Sequence, residues 1–428
     1  PTPGTVVSEK TNKTFGTTEW TLSNGMKVIL KPTDFKEDQV LLRATSEGGY
    51  SSLPTDEIAS AQLLGTYFSM SGLGNFDAIE LAKHTAGKQV YVNGGVSRFS
   101  TDIEGESAAK VEELELMFQE IYLLLTAPRF DYKTYNTMID RVNTVFSSQE
   151  NDPNSIFARR LALLMNDDNP RSEPLSLKTL ETVSSEKMLS VYNKLFPGAR
   201  NYTVMIVGNI NPAQLKPLVC QYLASLPKGE KRSWKDDGLR YPAKAFAHTF
   251  SQKMETPKTR VMVGYGMKAK YTAENMIYVS AIEHILGLRN TAEIREKEGG
   301  TYGVQERGFL SLRPIPFARM VMIFDTDPQK AEPLIPKVAD VFEGLFSEIL
   351  DDDVLKAKQH FLKAHGEDIR KNEYWLAVLA EYEESGIDIH TDYEKLVNAL
   401  SAASVKKAMK NIFGGANQTR LVMQGYGE

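Results

Sequence analysis

Arg295 and Tyr302 carry a fixed cation and a neutral hydroxyl donor, seven residues apart in the stretch IREKEGGTYGV. Two such donors can converge on one oxygen, and a peptide carbonyl that becomes an oxyanion during hydrolysis needs that kind of pair. The elements that must position them can be read locally. Met276, Val279, Ile282, Leu286 and Ile294 recur at helical spacing, which predicts an amphipathic helix leading into Arg295. Gly299 and Gly300 stop that helix, because glycine takes a left-handed cap at no steric cost. Thr301, Tyr302 and Val304 then read as a strand. The same residues also fit a purely structural role, with Arg295 closing the helix C-terminus and Tyr302 packed in a sheet.

The rest of the chain reads as a scaffold of alternating strands and helices. Its 428 residues suggest two or more domains. A hydrophobic content of 42% and a charged content of 25% are those of ordinary globular protein. The net charge of −5 argues against a nucleic-acid partner and weakly favours basic peptides. No run approaches the about 18 apolar residues of a membrane span. The single cysteine, Cys220, excludes an internal disulfide and reads as a small core residue. The chain opens Pro-Thr-Pro-Gly, which suggests a piece of something longer.

Asn24-Gly25 between alternating runs predicts a hairpin with a type I′ turn, and Asn93-Gly94-Gly95 predicts a second hairpin. Helices are expected over 57–70, 76–86, 131–148, 153–165, 179–195, 212–226, 273–298, 328–350, 353–371, 375–383 and 393–412. Charged, aperiodic residues before Ala243 read as a solvated linker. A repeat at a constant offset of 217 relates Val183-Ser184 to Leu400-Ser401, Leu195-Phe196 to Ile412-Phe413, and Gly208 to Gly425. The expected fold is α+β: two tandem homologous domains, each a mostly antiparallel sheet with helices packed on one face. The expected boundaries are 1–17 as a linker or arm, 18–228 as the first domain, 229–243 as a linker and 244–428 as the second domain.

IREKEGGTYGV resembles the arginine-to-tyrosine segment of pitrilysin/insulinase-type zinc metallopeptidases, the inverzincins, and the resemblance extends over about residues 15–428. It implies that Arg295 and Tyr302 hold substrate backbone and stabilise the tetrahedral intermediate. Members are built from duplicated units of this kind, and their catalytic domain carries His-x-x-Glu-His on a helix, with zinc on the histidines and water activation by the glutamate. Here the corresponding helix, near 58–65, has Ser60, Leu63 and Leu64 where ligands and base belong. His84, His248, His284 and His390 read as isolated, and His360 and His365 do not share a helical face.

The chain therefore resembles the non-catalytic C-terminal half of a two-half bacterial member, inactive alone. The opening TEWTLSNGMKVILKPTDF resembles the start of such a half. No catalytic residue and no metal ligand are expected in this chain, and zinc is expected in the missing half. The implied partners are that zinc-bearing N-terminal half or a partner subunit, and an extended peptide substrate. The implied location is the bacterial periplasm or cell envelope. The competing expectation is a free-standing non-catalytic subunit of a processing-peptidase-like or respiratory-core-like complex.

Overall fold

A computed structural model describes residues 1–427 and divides them into two units. The first comprises Pro1–Glu150, Pro174–Asp237 and Glu367–Gly386; the second comprises Asn151–Glu173, Gly238–Gly366 and Ile387–Glu428.

The first unit holds β1 (Val6–Asn12), β2 (Thr17–Leu22), β3 (Lys27–Pro32), β4 (Val40–Glu47), β5 (Val90–Val96), β6 (Ser100–Ser107) and β7 (Tyr202–Gly208). They form one sheet in the order β1-β2-β3-β7-β4-β6-β5. The second unit holds β8 (Phe246–Lys253), β9 (Thr259–Lys268), β10 (Gln305–Ser311), β11 (Phe317–Thr326) and β12 (Asn417–Tyr426), in the order β10-β11-β9-β12-β8. Only the β3–β7 and β8–β12 pairs are parallel. The orders β3-β7-β4-β6-β5 and β8-β12-β9-β11-β10 are the same, so the sequence repeat is a structural one. Its details match too: Ser184 and Ser401 each cap a helix, Ser185–Leu195 and Ala402–Phe413, by accepting a backbone N–H.

One face of each sheet carries the main helical layer, as the alternation in the strands requires. In the first unit Val28, Leu30, Val40, Leu42, Ile103, Val204 and Ile206 pack with residues of helices Ile58–Met70, Val111–Thr126 and Ser185–Leu195. In the second, Val261, Val263, Met320, Met322 and Phe324 pack with residues of helices Ala273–Asn290, Pro328–Gly344 and Ala402–Phe413.

The structure adds one element to the other face of each sheet. Helix Asn372–Ser385 lies against β4 and β7 of the first unit. Asn372 is buried; its amide donates to Gln39 Oε1 at 2.9 Å and accepts from Thr33 Oγ1 at 2.5 Å. Lys27 pairs with Glu383 at 2.9 Å, and Lys31 sits 4.0 Å over the Trp375 ring. In the second unit Phe157 and Met165, from the 151–173 segment, pack on Met262, Leu421 and Met423. Each unit thus includes a helix whose sequence position lies in the other repeat.

Several local expectations change. The first hairpin is not type I′: Gly25 is left-handed at φ 89, whereas Asn24 is not. Gly25 N–H donates to Leu22 O, making a three-residue loop that ends in a left-handed glycine. The amide of Asn24 is occupied elsewhere, donating to Leu223 O and Leu226 O. The second hairpin turns at 97–99, and Asn93-Gly94-Gly95 lies inside β5. A Cβ on Gly94 would come within 2.9 Å of the Phe196 ring, and one on Gly65 within 3.2 Å of Gly94 O. Those glycines serve the close crossing of helix Ile58–Met70 and not a turn.

The 179–195 helix is broken before Ser184, and the 393–412 helix before Ser401, because each serine caps a new helix. Within the segment expected as an arm, Val6–Asn12 is a strand paired with β2. The linker charges are not all solvated. The Asp237 side chain is 1% exposed and receives both ends of the Arg98 guanidinium, at 2.6 and 2.8 Å. Arg232 donates to Ser46 Oγ and Pro197 O. Charged side chains were buried here because each found a partner.

Candidate functional site

Helix Ala273–Asn290 begins at Thr272, whose hydroxyl accepts from Asn275 N–H, and packs along β10. Its last residue, Asn290, is buried and donates to Glu306 Oε1 at 2.7 Å. Burial raises the pKa of Glu306, and Glu283 nearby adds to the rise. Beyond Asn290 the helix widens into a π-helical segment, Thr291–Glu298. Gly299 closes it in the left-handed conformation (φ 62, ψ 18), with its N–H on Ile294 O. Helices of this rare form concentrate at functional sites.

Three contacts hold the segment in place. Ile294 is 1% exposed and anchors it to the core. Lys337 pairs with Glu298 at 2.5 Å, tying its end to helix Pro328–Gly344. Thr326 Oγ1 donates to Gly300 O at 2.6 Å, fixing the exit. Behind it lies a pocket of about 410 Å³ lined by Arg289, Glu293, Glu298, Lys337, Asp340 and Glu348 among others.

Arg295, next to the anchored Ile294, is exposed. Tyr302 is 98% exposed. Neither makes a hydrogen bond or ion pair among the described residues, and Arg295 lies in the last turn of the segment, where its charge also suits the helix C-terminus. Tyr302 does not pack in the sheet: the strand begins at Gln305, and Tyr302 sits on the loop before it. Thr301, expected as strand, instead bonds with Gly303 across that loop. The two side chains are not in contact with each other. The arrangement is an anchored helix end bearing an exposed guanidinium, followed by a loop bearing an exposed phenol, and both groups can donate to an oxygen supplied from outside.

Ser60, Leu63 and Leu64, the residues expected where a zinc motif would lie, are buried core residues of helix Ile58–Met70. Two of the histidine expectations change. His284 stacks on His360 with 4.8 Å between ring centroids, and His390 lies 5.8 Å from His365, which stacks on Tyr393 at 4.3 Å. Helix packing brings together residues that the sequence separates. Burial, with the neighbouring His360, lowers the pKa of His284. Among the described residues no three His, Cys, Asp or Glu side chains are grouped so as to hold a metal ion. No helix among them is long and apolar enough to cross a membrane.

A family profile described as "Peptidase M16 inactive domain" matches residues 182–361, which include Arg295 and Tyr302. The chain is 29% identical over 229 residues to a "Zinc protease PQQL-like" of Arabidopsis thaliana, covering 53% of this chain and 21% of that protein. It is 21% identical over 416 residues to the "Probable zinc protease PqqL" of Escherichia coli K12, covering 95% of this chain and 44% of that one. The crystal structure of the periplasmic protease PqqL from Escherichia coli superposes with a TM-score of 0.87 at 19% identity, over 99% of this chain and 47% of that chain. The chain thus spans less than half the length of these relatives. Over residues 182–361 the chain thus matches the inactive domain of the M16 peptidases, and the relatives it resembles are named zinc proteases.

Proposed function

We propose that this chain is the non-catalytic half of a zinc metalloendopeptidase. It completes a peptide-binding chamber with a zinc-bearing half, in a periplasmic or cell-envelope setting. Zinc and the water-activating base belong to that other half. Arg295 and Tyr302 donate to the developing oxyanion or to the neighbouring backbone carbonyl of an extended peptide. The observation that supports this reading most directly is the exposed, unpartnered state of both side chains on a segment held by Ile294, Lys337 and Thr326. Preorganised donors without internal partners cost nothing to redirect when charge develops.

The chain also supplies an anchored base for those donors, with Ile294 in the core and Lys337 on Glu298. On this reading it acts on the reaction by positioning and by electrostatics.

The test is reconstitution. The chain alone should hold no zinc and cleave no peptide, and mixing with its zinc-bearing half should produce peptidase activity. In that mixture Tyr302→Phe or Arg295→Ala should lower turnover by about 10²–10³, the usual effect of losing one such donor, with zinc content unchanged. Wild-type turnover in both variants would refute the assignment. Zinc or hydrolysis in the isolated chain would refute the division of labour. Failure of every zinc-bearing half to restore activity would turn the reading to a free-standing non-catalytic subunit.

A further inference from the structure

Helix Asp351–Asp368 is held to the second unit by little apolar surface. Of its 18 residues only Asp353, Val354, Ala357 and His365 are buried. Two of those four are titratable, so polar contacts decide how firmly the helix sits. Phe361 and Leu362 add partly buried surface to the same core, and Lys358 donates to Asn398 O at 2.8 Å. The seam with helix Ala273–Asn290 carries two polar contacts. At one end the Arg289 guanidinium meets the buried Asp353 at 2.8 Å. At the other the imidazoles of His284 and His360 stack, with 4.8 Å between centroids and 16° between planes. The Phe361 ring stands edge-on to His284 at 5.9 Å. The two helices run antiparallel here, since 289 meets 353 and 284 meets 360.

His284 is half-buried and His360 is exposed, so solvent reaches the pair. Among the described residues, the titratable groups acting on His284 are His360 and Asp353 from the facing helix and Glu283 from its own. Arg289 is engaged by Asp353, and Arg307 of β10 reaches Glu283 at 3.7 Å. Burial first and His360 second hold His284 below its ordinary value of 6.5, against the pull of the two carboxylates. The folded protein thus keeps His284 neutral where the unfolded chain has already bound a proton. This contribution to stability is fully present above about pH 6.5 and is lost as the pH falls through the lower folded value. Once both rings are protonated, two like charges stand face to face at 4.8 Å.

We infer that His284 and His360 form an acid-sensitive latch. Neutral and stacked, they hold helix Asp351–Asp368 on helix Ala273–Asn290; protonated, they part it. Lys358 and the Arg289–Asp353 pair still tether the helix, so the change is a loosening of one helix and not the unfolding of its unit. Arg289 lies two residues before the π-helical segment, so the loosened helix is one that steadies the approach to Arg295. The latch rests on the packing of these two helices and not on the role proposed for Arg295.

The experiment is hydrogen–deuterium exchange of this chain, read by mass spectrometry at about pH 7.5 and about pH 5.5 and corrected for the intrinsic pH dependence of exchange. Amides of helix Asp351–Asp368 should exchange at least about threefold faster at the lower pH, the scale of losing one partly exposed electrostatic contact. Helix Pro328–Gly344, in the same unit and without histidine, should not change. His360→Gln, at an exposed position, should abolish the acceleration, and His284→Gln should do the same. His360→Lys sets a charge beside His284 at both pH values and should speed exchange already at the higher one. Unchanged exchange in the wild type overturns the inference. An acceleration that survives in both glutamine variants assigns it to another group, such as His365, and overturns it too. So does full protection of His360→Lys at the higher pH.

Discussion

Cutting the chain after Asp237 should leave a first fragment that cannot fold, although it contains every strand of the first unit. The missing part is helix Asn372–Ser385. On the sheet face it covers, Ile29 lies between Lys27 and Lys31, both of which reach the helix. Met205 pairs in register with Ile29, and Leu41 with Val207, so all four point the same way. They are 1%, 1%, 8% and 0% exposed respectively.

Returning a side chain of this size to water costs about 1.5–3 kcal/mol, so four come to roughly 6–12 kcal/mol. That equals the whole stability of a typical domain, about 5–15 kcal/mol. Loss of Asn372 adds to it, since Gln39 Oε1 would lose its amide partner. The assay is urea unfolding followed by tryptophan fluorescence, which reports this unit because Trp20, Trp234 and Trp375 all lie in it. Fragment 1–237 should show no cooperative transition. Fusing residues 367–386 to it through a flexible linker should restore one. A cooperative transition in 1–237 alone, with a midpoint near that of the full chain, would refute the reasoning.

Two further outcomes follow from single residues. Burial raises the Glu120 carboxyl from 4.5 to about 7, so the folded protein holds a proton that the unfolded chain releases at lower pH. This contribution to stability is fully present below pH 4.5 and is lost as pH rises through about 7, amounting to about 3 kcal/mol by pH 8. Glu120→Gln should flatten that slope in unfolding measurements made across the range, and a variant with the wild-type slope would rule the group out. At the Arg295 segment, Gly299→Ala should cost about 1 kcal/mol from backbone conformation alone, because Gly299 is left-handed and its added Cβ meets nothing. Gly303→Ala, equally open but without positive φ, should stay within about 0.5 kcal/mol of wild type in the same denaturation series.

What could be read from the sequence was local or periodic. The Arg295 segment was legible because its determinants are a glycine stop and a helical stripe within a few turns, and Gly299 does close the helix as expected. The repeat was legible because capping serines and strand-entry residues recur at one offset. The widening into a π-helical segment was not legible, since the apolar spacing from Met276 to Ile294 fits an ordinary helix as well. The turn at 97–99 was missed because glycines packed against a helix look the same in sequence as glycines in a turn.

The helices on the second faces had a signal that pointed to a need without naming its answer. Val204-Met205-Ile206-Val207 is a continuous apolar run, as is Val261-Met262-Val263, and such runs mark strands buried on both faces. The chain's own order suggests that each repeat covers its own sheets, and the units show otherwise. The consequence is energetic. If a folded repeat needs a helix encoded in the other repeat, the stability of the platform bearing Arg295 is tied to residues 151–173, through Phe157 and Met165 on Met262 and Met423. A duplication that began as two equal units can then change its chemistry unit by unit without separating. In the first unit, helix Ile58–Met70 commits Ser60, Leu63 and Leu64 to the core. In the second, helix Ala273–Asn290 runs on into the π-helical segment that bears the exposed Arg295.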